Sequence, residues 1–185
     1  MLCPPEGYGE AIVELLVTRR PGAVFKSYHV GEEQLTVEAA LPVAPALIGK
    51  APDLVVIGLG TADMAQERAP EASVEMLGSL VQLLVLKTQA RVALTTVCPA
   101  FLPSQARAAA TAFNAGVRAW GASHASRVDV LDLEPVVETF LDAHRRGAGE
   151  KRSLHVQPLR LTSTGRVFLS NTVYDLLKLD DFFEA

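Results

Sequence analysis

Apolar residues recur at two spacings along this chain, and the switches between them lay out the elements in order. From Glu6 to Arg20, Ile12, Val13, Leu15 and Leu16 fall on a helical stripe that Pro21-Gly22 closes, which predicts a first helix. Ala23 to Val30 (AVFKSYHV) alternates as a strand does and ends at Gly31. Thr36 to Lys50 is rich in Ala and Leu but broken by Pro42 and Pro45, so it predicts a kinked helix at most. DLVVIGL, residues 53–59, is a continuous apolar run with β-branched residues, the pattern of a strand covered on both faces. Pro70 to Lys87 repeats Val74, Leu77, Leu80, Val81 and Leu84 at helical spacing. Arg91 to Val97 is the next strand. Ser104 is placed to cap a long helix with Phe113, Val117 and Trp120 on its buried side. Val128 to Leu133 predicts a further strand and Glu134 to Arg146 a helix. Leu154 to Val156 predicts a small edge strand, and Thr162 a cap for a last helix, Thr164 to Lys178.

Strands alternating with helices predict an α/β domain, a three-layer αβα sandwich whose parallel strands lie near residues 23–30, 53–59, 91–97 and 128–133. A chain of 185 residues fits one domain, residues 1–185. Ligands of such folds sit outside the carboxyl ends of the strands. The residues that matter therefore follow each strand: Gly31 to Leu35, Gly58 to Met64, Cys98 to Pro103, Glu134, and the segment before the last helix.

Composition narrows the chemistry. At 49% hydrophobic and 21% charged residues the chain can bury a sizeable core. A net charge of −4 without a dense Lys/Arg run argues against nucleic acid as a partner. No apolar stretch is long enough to span a membrane. Cys3 and Cys98 lie far apart with no ligand spacing, so neither a disulfide framework nor a metal site is expected. A reducing, cytoplasmic setting follows as the expectation.

Gly58-Leu59-Gly60, between a strand and a helix, invites a nucleotide reading. A dinucleotide fingerprint wants a small residue where Asp63 stands and an acid about 20 positions on, where Leu80 to Lys87 supplies none. No Gly-Lys-Ser/Thr follows any glycine loop, so no cofactor is expected.

PDLVVIGLGTADM resembles the third conserved block of the SGNH, or GDSL-type, hydrolases, in which a buried strand ends in Gly-x-Asn-Asp. The similarity continues in order through VALTTVCPAFLP, FNAGVRAWGA, VDVLDLEP and QPLRLTSTGRVFLSNTVYDLL, so it spans about Gly7 to Leu177. The resemblance implies a flavodoxin-like parallel sheet and, in intact members, ester hydrolysis by a serine. The family's Gly-Asp-Ser turn has no counterpart in MLCPPEGYGEAIVELL, and its central first strand is missing or reduced, with only Met1 to Pro4 before Pro5. Three arrangements would resolve this: direct pairing of the flanking strands, a strand donated by another chain, or a natural protein that begins upstream of Met1. An uncovered sheet edge favours a homodimer.

Carried over residue by residue, the glycine whose N–H helps bind the oxyanion matches Gly31, the block-three Asn is replaced by Ala62, the final acid matches Gln157 and the catalytic histidine matches Arg160. A guanidinium stays protonated and takes no proton from a serine. Losing one oxyanion donor costs a factor of about a hundred to a thousand in rate. The expectation is a non-catalytic member that binds a small molecule or a protein, with Gly31, Gly60, Ala62, Asp63 and Arg160 as the ligand-binding candidates. The alternative is an ester or acyl hydrolase with a different constellation or an upstream catalytic turn. The structural reading of Asp63 and Arg160 is a turn cap and its ion-pair partner; the functional one gives Arg160 an anionic ligand group.

Other candidates have plainer explanations. His29 reads as an edge residue beside Glu32 and Glu33, His155 stands five positions before the family's histidine, and Asp142 and His144 point apart on a polar helix. Cys98 reads as a structural thiol. Ser27, Ser73, Ser104 and Ser163 read as caps or surface, and Phe182-Phe183 as a tail that packs back or meets a partner.

Overall fold

A computed structural model describes residues 9–28, 30, 34–124, 126–146, 155–157, 160–161 and 163–179. Three parallel strands form its sheet: β1 (Leu54–Ile57), β2 (Arg91–Thr95) and β3 (Val128–Leu131), in the order β1-β2-β3. Leu54 stands opposite Arg91 and Val92 opposite Val128. Around it run α1 (Gly9–Arg19), α2 (Val37–Ala40), α3 (Ala44–Ile48), α4 (Thr61–Ala65), α5 (Pro70–Lys87), α6 (Arg107–Ser123), α7 (Leu133–Arg146) and α8 (Ser163–Leu176). A small antiparallel pair, β4 (His155–Gln157) with β5 (Arg160–Leu161), precedes α8.

The apolar runs of the strands are explained by burial on both faces. Strand side chains alternate, so Val55, Ile57, Val92, Leu94 and Val128 point to one side and Val56, Ala93 and Leu131 to the other. The first set packs with α2, α3, α5 and α6 through residues such as Leu80, Leu84 and Phe113. The second meets Ile12 and Leu16 of α1, Val137 of α7 and Leu169 and Val173 of α8. The result is the three-layer α/β sandwich. No helix among the described residues is long and apolar enough to cross a membrane.

Most predicted elements stand within a few residues of their expected bounds. Thr36 to Lys50 is broken as its prolines require: α2 gives way to a 3₁₀ turn, Leu41–Val43, before α3. Two expectations fail. Among the described residues Ala23 to Tyr28 is not a strand, because it joins no ladder, and of the predicted strand's described residues Val30 alone makes a bridge. Phe25 packs on the α1/α8 side and Val30 on the α5/α6 side, so this segment carries the chain around the sheet from one face to the other. Its alternation reflects that passage, with Val24 left 88% exposed. Ser104 does not cap α6; it opens a 3₁₀ turn, and Ala106, which has no side-chain acceptor, precedes the helix. Met1 to Pro5, Thr162 and the Phe182-Phe183 tail lie outside the described residues.

Helix α6 approaches the sheet closely at Gly121. A Cβ there would stand 2.1 Å from Val130 Cγ2, far inside van der Waals contact. Gly121→Ala is therefore expected to cost about 1–3 kcal/mol through overpacking, lowering Tm by about 2–4 °C per kcal/mol for a chain of this size. In the double variant Gly121→Ala/Val130→Ala the losses are expected to be less than additive, as a thermal-unfolding cycle will show.

Candidate functional site

β1 ends at Ile57 and the chain turns through Gly58-Leu59-Gly60 into α4. Gly60 has φ +107°, and a Cβ there would lie 2.4 Å from the Phe113 ring, so only glycine fits. Its role is to let the chain turn beneath an aromatic side chain. Ala62 is buried at 6% exposure, and Asp63 is fully buried.

The Asp63 carboxylate is committed inward. Oδ2 accepts the Val37 backbone N–H at 3.0 Å, at the first turn of α2, and Oδ1 faces the Ser73 hydroxyl at 3.5 Å. Thr36 Oγ1 accepts the Ala39 N–H at 3.3 Å, so between them the two side chains satisfy two of the opening donors of α2. Burial raises the pKa of Asp63 above its ordinary value; the Val37 bond, the Arg68 charge and the Ser73 bond oppose that rise. Arg68 in turn pairs with Glu38 of α2 at 2.7 Å. Ser73, expected as a cap or surface residue, is instead fully buried because its hydroxyl serves this carboxylate. Gly60, Ala62 and Asp63 thus share one turn. Gly31 and the side chain of Arg160 lie outside the described residues.

A second polar cluster joins the carboxyl ends of β2 and β3. Asn114 of α6 grips the Val97 peptide from both sides, accepting its N–H at 2.8 Å and donating to its carbonyl at 2.7 Å. The same amide donates to Glu134 at 3.0 Å. One turn on, Arg118 makes two 2.8 Å bonds to Asp132 and one of 2.5 Å to Glu134. Thr96 Oγ1 donates to Asp132 and accepts the backbone N–H groups of Leu133 and Glu134, at the start of α7. The Arg118 guanidinium holds the Asp132 carboxyl below its ordinary pKa, with burial opposing and Thr96 assisting. Sequence reasoning marked Glu134 by its place after a strand but missed this network. The available signal was Asn114 and Arg118, four residues apart and so on one helix face.

Cys98 sits beside that cluster. Burial, together with Glu134, Asp132 and Glu138, pushes its thiol up to about 12, which favours the protonated form at neutral pH. One serine does stand against a histidine: Ser123 Oγ lies 2.8 Å from His124 Nδ1. Nδ1 is also 2.9 Å from the Trp120 carbonyl, which only accepts, so Nδ1 carries the proton there. Ser123 itself donates to that carbonyl at 2.7 Å. The pair closes the end of α6 that leads into β3, opposite to the strands' carboxyl ends.

The solved structures this chain resembles are esterases and lipases. It superposes on the acetyl xylan esterase AlAXEase with a TM-score of 0.78 at 15% identity, covering 92% of this chain and 90% of that one. For a GDSL-like lipase from Parabacteroides merdae the TM-score is 0.80 at 13% identity, covering 94% and 82%. For a lipolytic G-D-S-L family member from Veillonella parvula it is 0.69 at 15%, covering 95% and 90%. No protein-family model and no curated protein sequence matches the chain. At these identities the likeness shows the fold, and the fold is that of the SGNH/GDSL-type hydrolases.

Two predictions test these clusters. Asp63→Ala leaves the buried Val37 N–H without its acceptor and is expected to cost about 1–3 kcal/mol in denaturant unfolding. Asp63→Asn keeps an acceptor and removes the buried charge, so it is expected to retain most of the stability. Because the folded pKa of Asp63 is raised, the wild type should gain on Asp63→Asn as pH falls through that pKa. Asp132 runs the other way, its depressed pKa contributing stability above its unfolded value. The loss caused by Arg118→Gln is thus expected at neutral pH and should shrink as acid protonates Asp132.

Proposed function

We propose that this chain is a binding domain built on the SGNH hydrolase fold, without that fold's serine ester hydrolysis. The observation that carries the reading is the turn after β1. Where the family resemblance places a side-chain oxyanion donor stands the buried methyl group of Ala62, and the neighbouring Asp63 is spent on Val37 and Ser73. Oxyanion stabilisation needs donors aimed at the reacting centre, and these two residues aim none. Arg160, matched by resemblance to the catalytic histidine, stays protonated and cannot act as a base, and its guanidinium suits a carboxylate or phosphate of a small-molecule or protein ligand. Gly31, on the same resemblance, offers a backbone N–H to that group. The setting proposed is the cytoplasm, in keeping with a free Cys98 and the absence of a cysteine ligand pattern.

Ester hydrolysis is the competing reading, and the esterases and lipases among the structural neighbours favour it. A broadly reactive fluorophosphonate separates the two, since it modifies activated serines whatever their substrate. Intact-mass analysis of the purified 185-residue chain is expected to show no adduct. A stoichiometric adduct that disappears when the protein is heat-unfolded first would overturn the binding-domain reading, and peptide mapping would locate the nucleophile.

A further inference from the structure

Away from the carboxyl ends of the strands, α5 and α6 enclose an open groove of about 550 Å³. Its α5 wall recurs every three to four residues from Pro70 to Gln82, and its α6 wall is Ala112, Gly116 and Trp120. At 1.5 Å per residue the α5 side runs for about 18 Å, three turns of helix. The floor is low because two glycines bring the helices together. A Cβ on Gly78 would meet Trp120 Nε1 at 2.6 Å, and one on Gly116 would meet Val74 Cγ2 at 2.8 Å.

The chemistry of the walls is one-sided. Glu71 and Glu75 carry two carboxylates, no basic residue lines the groove, and neither carboxylate has a partner among the described residues. The Trp120 indole N–H makes no hydrogen bond there either and is not sealed from solvent. One face of that ring is stacked on His124 at 4.0 Å, which fixes it in place. One turn beyond Gln82 on the same side of α5, Leu86 stands 80% exposed. The trough therefore has an acidic end and an apolar floor, with a bare leucine just beyond its other end, which is the layout that receives an amphipathic segment.

We infer that the α5/α6 groove docks a basic amphipathic helix of a partner protein, with its Lys or Arg side chains at Glu71 and Glu75 and its apolar stripe running toward Leu86. Charge complementarity selects the basic end, and the apolar floor with Leu86 requires more than a solvated cation. The inference does not rest on the binding-domain reading, since the groove is separate from the β1 turn and would serve an active hydrolase equally well.

Trp120 is the single tryptophan of the chain, so its emission reports this groove alone. The probe is a tryptophan-free helical peptide of Ala, Leu and Lys, leucines along one stripe and lysines beside it, against the same peptide with Glu for Lys. The Lys peptide is expected to shift Trp120 emission saturably and the Glu peptide to leave it unchanged. Glu71→Lys/Glu75→Lys is expected to weaken binding at least about tenfold, and Leu86→Ser several-fold, with circular dichroism unchanged. Should the charge-reversed protein fail to fold, Glu71→Gln/Glu75→Gln serves, with a smaller loss in the same direction. No emission change with the Lys peptide, or equal affinity for wild type and the glutamate variants, overturns the inference. So does a response to spermine as strong as the response to the peptide, which would make the groove a small-cation site.

Discussion

Because the sheet is covered by helices on both faces, its strands are mostly apolar and their polar groups gather near the strand ends. Each helix layer must also present an apolar face to the sheet. Fully burying one Val, Leu or Phe side chain is worth about 1.5–3 kcal/mol, and residues such as Val56, Leu80, Phe113 and Val173 are each buried almost completely. No exposed ion pair, worth about 0–1 kcal/mol, competes with that. The apolar layers set the architecture, and the polar groups are left to finish it at the strand ends.

There they follow a common rule. A buried donor or acceptor must be satisfied, and each cluster answers a specific backbone need. Asp63 receives the start of α2, Asn114 clasps the peptide after β2, and Thr96 receives the start of α7. In each cluster the side chain is engaged by the protein's own backbone. Burial of Asp63 works against its charged form, and the residue ties α2 to the turn after β1.

Small residues do for helix packing what polar residues do for the strand ends. Gly60 admits the Phe113 ring, Gly121 admits Val130, and Gly78 with Gly116 lets α5 and α6 close on Trp120 and Val74. The last pair also leaves a trough on the outer surface, so one packing solution both seals the core and shapes the groove.

Much of this was legible in the residues themselves. The runs DLVVIGL, RVALTTV and VDVLDL announce strands, the first of them covered on both faces, and proline marked both the break in residues 36–50 and the start of α5, because these depend on local periodicity and backbone chemistry. The order of motifs also pointed to the hydrolase fold that the solved structures share. What the tertiary structure alone decided is partnership. Ala23 to Tyr28 alternates like a strand yet joins none of the described ladders, and Ser73 looks like a cap yet lies buried against Asp63. Asn114 reaches a peptide 17 residues away in sequence. A strand needs a neighbour, a buried hydroxyl needs an acceptor and an amide needs a peptide to hold. Those neighbours are supplied by distant parts of the chain, which periodicity does not encode.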